Sequence, residues 1–221
     1  MPSVVIVGAS RGIGREFVRQ YREAGWQVTA TARTEAQVAK LKAAGAAAFI
    51  ADVTDAASLA AAAAAAPGPH DLLILNAGAS VMEGKLGDID AAHWRQLMDT
   101  NALGPLLAVQ ALGATVADGG KIVALSSTLG SIGANTGGGL WSYRMSKAAL
   151  NAGMKNLSIE LKRRNIAVAA LHPGWVKTDM GGAQAEVEIP DAVAGLLGVI
   201  AALDMAHTGS FTDYRGNALP W

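Results

Sequence analysis

The chain has no cysteine. Disulfides, thiol catalysis and cysteine-based metal sites are therefore excluded. Histidine is scarce too: His70, His93, His172 and His207 are scattered and show no metal-ligand spacing. Charge is sparse and balanced, with 18 Lys and Arg against 18 Asp and Glu and a formal net charge of +0. No basic patch or charge run stands out, which argues against nucleic acid as a partner. No apolar run reaches the ~18–20 residues that cross a bilayer, so no membrane partner is expected. The opening Met1-Pro2-Ser3-Val4-Val5-Ile6-Val7 has no basic segment ahead of its apolar run, unlike a signal peptide. The expectation is a soluble cytoplasmic protein. What the chain does hold is apolar side chains, 51% of 221 residues, enough for one sizeable α/β core.

Short apolar runs alternate with helical patterns. Strands are predicted at Val4–Val7, Trp26–Ala32, Ala47–Ala51, Asp71–Leu75, Lys121–Leu125 and Ile166–Leu171, with a short last one at Ser210–Thr212. Helices fall between them. One follows Gly14 and stops at Gly25; Thr34 can cap one over Glu35–Ala44. Asp55 or Thr54 can cap an alanine-rich one, for which helix propensity alone is sufficient reason. Further patterns cover Asp90–Thr100 and Leu103–Val116. A long helix from Trp141 ends at Lys162-Arg163-Arg164-Asn165, where Asn tolerates a left-handed exit. Pro190–Leu203 is the last. Such alternation without a linker predicts a single-domain α/β Rossmann fold over residues 1–221. It would be a doubly wound parallel sheet of six to seven strands with helices on both faces. The unusual residues sit just past strand ends, where ligands of such sheets bind.

Gly8-Ala9-Ser10-Arg11-Gly12-Ile13-Gly14 lies between a strand and a helix. Its glycines let the backbone turn tightly and come close to a pyrophosphate at the helix N-terminus. The second strand ends at Thr31-Ala32-Arg33-Thr34, with no acid until Glu35. Arg33, helped by Arg11, suits a ribose 2′-phosphate, which favours NADP(H) over NAD(H); the alternative is two solvated arginines. Asp52 can accept from an adenine amino group, with the Val53 amide donating beside it, or it can cap the next helix. Asn76-Ala77-Gly78 is a small turn that either meets the adenosine or ties strands together. Asn101 interrupts a helical pattern ahead of Gly104-Pro105, where a freed carbonyl can hold a water. Ser126-Ser127 ends the fifth strand. No Gly-x-Ser-x-Gly elbow accompanies it, which weakens a hydrolase reading.

Tyr143 and Lys147 are four apart on the long helix and so share a face. A cation close to a phenol favours the phenolate and brings its proton within reach of neutral pH. Glycine loop, Asn-Ala-Gly, Ser and Tyr-x-x-x-Lys, in this order and along the whole chain, resemble the short-chain dehydrogenase/reductase family. Leu125–Ile132, the glycine-rich stretch before Tyr143, Tyr143–Asn151 and Pro173–Gly182 are similar to its C-factor-like and sniffer-like carbonyl reductases. Val7 stands where many members carry Thr, and the Ser127–Tyr143 spacing is about three residues longer than usual.

The resemblance implies roles by position. Tyr143 would be the general acid in reduction and the base in oxidation. Lys147 would hold the nicotinamide ribose and lower the Tyr143 pKa. Ser127 would polarise the substrate carbonyl, and Asn101 would support a proton-carrying water. Pro173, Gly174, Val176 and Thr178 would line the nicotinamide. The implied activity is an NADP(H)-dependent carbonyl reductase or alcohol dehydrogenase acting on a small molecule. The C-factor branch includes an intercellular signal protein, so a signalling or regulatory NAD(P)-binding protein is the second reading. The helices over Leu103–Val116 and Ala148–Leu161 look apolar on most sides, which points to a homodimer or homotetramer. A short segment at about 178–190 implies an open substrate site with broad acceptance, kept mobile by Gly181-Gly182.

Overall fold

Continuous apolar runs predict strands buried on both faces, and the fold carries that out. The computed structural model describes residues 1–81 and 83–221. Among the described residues seven strands form one parallel sheet: β1 Ser3–Val7, β2 Gln27–Ala32, β3 Ala47–Ile50, β4 His70–Leu75, β5 Val116–Leu125, β6 Ala167–His172 and β7 Ser210–Asp213. Their order is β3-β2-β1-β4-β5-β6-β7. Seven α-helices alternate with them: α1 Gly12–Glu23, α2 Glu35–Ala43, α3 Ala56–Ala65, α4 Ala91–Met98, α5 Gly104–Leu112, α6 Trp141–Glu160 and α7 Ile189–Ala202. On β1, Val4 and Ile6 join Phe17 and Tyr21 of α1 and Leu196 of α7 in one core. Val5 and Val7 point the other way, into a core with Leu59 of α3, Leu112 of α5 and Met154 of α6.

The helix starts follow local chemistry. Thr34, Asp55 and Asp90 each accept backbone N–H groups at the heads of α2, α3 and α4. Asn165 leaves the turn after α6 at a φ of 54°, the left-handed exit its side chain tolerates. Two spans differ from the sequence pattern. β5 begins at Val116 rather than Lys121, because Val116 pairs with His70 before the register shifts. The polar Asp118-Gly119-Gly120 at that irregularity hides the strand's start. The helix expected over Leu103–Val116 ends at Leu112. Before it, Asp99–Leu103 widens into a π segment, with Gly104 N–H bonded to the Asp99 carbonyl. Pro105 has no N–H to give the Asn101 carbonyl four residues back, so the ladder opens where Asn101 sits.

The chain reverses its winding between β1 and β4. Asn76 and Ala77 donate their amides to the Val7 carbonyl, both at 3.0 Å. The C-terminal ends of these two strands therefore open into one crevice, the usual ligand position in such a sheet. Among the described residues no helix is long and apolar enough to cross a membrane.

Candidate active site

Two glycines of the loop, Gly8 and Gly14, are packed too tightly for a side chain. A Cβ on Gly14 would lie 2.3 Å from the Gly8 carbonyl oxygen and 2.5 Å from Asn76 Nδ2. Asn76 Nδ2 donates to the Gly8 carbonyl at 2.6 Å, so Asn76 ties the two strand ends together. The Gly8 amide donates to Thr31 Oγ1 at 3.2 Å and the Ala9 amide to the Thr31 carbonyl at 2.8 Å. These bonds hold the loop against the end of β2, leaving backbone exposed toward the head of α1.

Around this loop the other expected contacts fall into place unevenly. Arg33 is exposed just past β2, close enough to Asp52 for its charge to act there. Arg11, at the outer rim of the loop, makes an ion pair with Asp179. Ser10 and Ile13 are half-buried in the loop. Asp52 does not cap α3, which is capped by Asp55. Its carboxylate accepts from the Thr54 amide at 2.9 Å and the Thr54 hydroxyl at 2.7 Å. Those bonds hold it below the usual carboxylate range. Val53 is buried against Gly104. Gly78 lies between Asn101 and Lys147: a Cβ there would sit 3.4 Å from Asn101 Oδ1 and 3.6 Å from Lys147 Nζ.

The chemistry-bearing groups come from β5 and α6. Ser126 and Ser127 part company at the strand end. Ser126 Oγ donates to Asn151 Oδ1 at 2.6 Å and is spent on structure. Ser127 opens a short 3-10 turn, accepts from the Leu129 amide at 3.1 Å and lies against the Tyr143 phenol. The turn can pack on α6 because Gly130 has no side chain; a Cβ there would meet the Lys147 backbone at 2.8 Å. Lys147 is buried, its Nζ donating to the Leu125 carbonyl at 2.8 Å and standing 5.9 Å from the centroid of the Tyr143 ring. Burial brings its pKa down to about 8.

Tyr143 differs from the sequence expectation. Its phenol is pushed up, chiefly by burial, and the opposing influence is the Ser127 hydrogen bond. Lys147 stands over the ring from one helical turn on.

Asn101 is fully buried and uses its side chain on Ala79, accepting its amide at 2.7 Å and donating to its carbonyl at 2.8 Å. It also donates to Ser146 Oγ at 3.0 Å, and Ser146 Oγ donates to the Tyr143 carbonyl at 2.8 Å. Asn101 thus joins the turn after β4 to the helix that carries Tyr143. Sequence reasoning missed Ser146 and Asn151. Their signal was spacing: one precedes Lys147 and the other follows it by four residues, on the same helix.

The last wall follows β6. Pro173 and Gly174 are half-buried, Val176 is buried, and Thr178 faces Gly12 across the crevice, its Cγ2 3.5 Å from where a Gly12 Cβ would lie. The segment after Thr178 is not held loosely. Lys177 donates to the Val187 carbonyl at 2.9 Å and Val187 to the Trp175 carbonyl at 3.0 Å, a short parallel bridge. The Gly181 amide donates to Thr178 Oγ1 at 3.1 Å, and Trp175 Nε1 donates to the Gly181 carbonyl at 2.8 Å. A Cβ on Gly181 would stand 2.0 Å from the Val176 carbonyl oxygen. Close approach accounts for Gly181, while Gly182, at a φ of 75°, has open space where a Cβ would lie. Among the described residues no three His, Asp or Glu side chains gather as for a metal.

Comparison with known proteins agrees with this geometry. The model of the family described as short chain dehydrogenase matches residues 2–188. The chain is 44% identical over 156 residues to the C-signal of Myxococcus xanthus, covering 70% of this chain and 94% of that protein. Among solved structures, the carbonyl reductase Sniffer of Drosophila melanogaster superposes with a TM-score of 0.93 at 27% identity, over 100% of both chains. The NADPH-bound carbonyl reductase from chicken fatty liver superposes with a TM-score of 0.91 at 33% identity, over 100% of this chain and 99% of that one.

Proposed function

The chain belongs to the short-chain dehydrogenase family, and on that premise we propose that it transfers hydride between NADP(H) and a carbonyl or alcohol. The observation that carries this reading is the meeting of Ser127, Tyr143 and Lys147 at the same end of the sheet as a glycine loop in which Gly8 and Gly14 have no room for a side chain. The bound nucleotide supplies or takes the hydride. The bare backbone of Gly8, Ser10, Gly12, Ile13 and Gly14 at the head of α1 suits its phosphates. Arg33 and Arg11 suit the 2′-phosphate, Asp52 and Val53 the adenine, and Asn76, Ala77 and Gly78 the adenosine. Lys147 would hold the nicotinamide ribose, and Pro173, Gly174, Val176 and Thr178 the ring.

The chain's own groups then have few tasks. Ser127 and Tyr143 hold the carbonyl oxygen where negative charge develops. Tyr143 donates its proton to that oxygen in reduction and recovers it in oxidation. Lys147, charged below about pH 8, keeps a cation beside the phenol, and Asn101 supports a water through which its proton is renewed. Loss of NADPH absorbance with a panel of aldehydes, ketones and quinones tests the reading. A second reading, a nucleotide-binding signalling protein, draws on the likeness to the C-signal. A chain that binds NADPH yet turns over no carbonyl or alcohol would favour it.

Nucleotide preference rests on Arg33 and Arg11. Charge-assisted hydrogen bonds contribute about 1.5–3 kcal/mol each, so NADPH is expected to bind at least ~10-fold more tightly than NADH. Arg33→Asp should reverse the order. Equal calorimetric affinities in the parent would refute the role of Arg33.

Self-association is the remaining proposal. Most of α5 is used inside the chain, with Pro105, Ala108, Val109 and Leu112 buried. Leu103 beside it and Ile159 on α6 remain 49% and 64% exposed. A homodimer or homotetramer would cover them, and light scattering should find no monomer at micromolar concentration.

A further inference from the structure

The helix that carries Tyr143 and Lys147 begins badly by local rules. Gly138, Gly139 and Leu140 take φ values of 63°, 64° and 48° in succession, and Leu140 has a side chain that disfavours this region. α2, α3 and α4 each have a capping side chain just ahead of them; α6, like α1, α5 and α7, has none of its own. The missing acceptors come from Glu83, in the segment after β4. The Leu140 amide donates to the Glu83 carbonyl at 2.8 Å, and the Ser142 amide donates to Glu83 Oε2 at 3.1 Å.

We propose that Glu83 is a positioning residue for Tyr143, clamping from a distant segment the first turn of the helix from which the phenol projects.

Three further observations support the clamp. Glu83 is only 3% exposed, an unusual place for a carboxylate unless it is held there. The neighbouring Ser142 hydroxyl and then the backbone donors outweigh burial and keep it below the usual carboxylate range, the Ser142 amide being the donor within hydrogen-bond distance. It is therefore an anion at the positive end of α6. The segment is pinned at its other end too, since Asn101 grips Ala79 through both amide and carbonyl. Ala79 is thus held at the π segment and Glu83 at the head of α6. Both anchors act one bond away from Tyr143, through the Ser142 amide and through Ser146 bonded to the Tyr143 carbonyl.

The inference rests on the reductase reading, so its test has a readout that needs no turnover. In Glu83→Ala, the Ser142 amide loses its acceptor and should exchange hydrogen at least ~10-fold faster, and the Leu140 amide, whose main-chain acceptor remains but is no longer held in place, should exchange faster too, with those of Leu150–Met154 unchanged. Turnover should fall at least ~10-fold with the NADPH Michaelis constant within about twofold, because a small displacement of a reacting group is costly. Glu83→Gln keeps an acceptor for the Ser142 amide and should recover turnover to within about threefold of the parent. If Glu83→Ala does not fold, Glu83→Asp retracts the carboxylate by one methylene and should show the same split. Unchanged exchange at Leu140 and Ser142 overturns the clamp. Lowered thermal stability with parental turnover reduces Glu83 to a fold-stabilising group and overturns the proposal as well. A parent without carbonyl turnover ends the reductase reading, and exchange then decides the clamp alone.

Discussion

Tyr143→Phe is expected to lower turnover by at least ~10³-fold while leaving fold and nucleotide affinity close to the parent. The ring stays to pack against the helix and only the hydroxyl is lost. Under the proposed mechanism that hydroxyl would serve twice, as proton donor and as one of two contacts to the developing oxyanion. General acid catalysis is typically worth ~10²–10⁴-fold and an oxyanion donor ~10²–10³-fold. The two losses do not multiply, because one group supplies both. Burial and the Ser127 hydrogen bond act on this phenol in opposite directions, so removing Ser127 should also move the alkaline limb of the rate profile upward. Steady-state reduction of the best carbonyl of a panel decides the matter. A Phe variant within tenfold of the parent would remove Tyr143 from the mechanism.

Lys147→Met should abolish most activity and yet make the protein more stable. Activity falls because the cation beside the phenol and the ribose partner go together; nucleotide affinity should drop by about 1.5–3 kcal/mol. Stability rises for an electrostatic reason. The buried ammonium titrates at about 8, against ~10.4 for a free lysine. Between these values the unfolded chain binds more protons, so the parent gains stability as pH rises through that window. Below about pH 8 the folded chain bears the full cost, on the order of 3 kcal/mol. Methionine fills the space without a charge but leaves the Leu125 carbonyl without its donor, an offset of about 1 kcal/mol. Urea unfolding at pH 7 should show a net gain of ~1–3 kcal/mol that vanishes above the free-lysine pKa. A variant no more stable than the parent at pH 7 would mean the ammonium is better solvated than its burial implies.

The architecture was legible because each level agreed. The apolar runs are strands, Asn165 makes its left-handed exit, and Thr34 and Asp55 cap the helices they precede. The chemistry was legible where residues four apart share a helix face, as Tyr143 and Lys147 do. It was not legible where partners are remote in sequence. Nothing near Glu83 marks it, since the amide it caps is 59 residues away. Arg11 reads from sequence as a phosphate ligand or a solvated arginine, and its pairing with Asp179 across 168 residues leaves no local trace. Gly181 shows a different limit of the sequence. Glycine has two uses, freedom and close approach, and only the Val176 carbonyl above it shows which applies.

The strand order also sets when the crevice first exists. β1 must wait for β4 before its second neighbour arrives, and the Gly8–Asn76 bond closes a loop of 68 residues. A growing chain therefore carries the glycine loop and Arg33 well before Ser127 and Tyr143 are made. Parallel pairing of distant strands is slow, because the entropy of loop closure is lost before contacts return it. β4 in turn stands as an open edge until β5 arrives. On the proposed reading, nucleotide present early would meet half of its site, and the segment that carries Tyr143 and Lys147 would assemble onto it last.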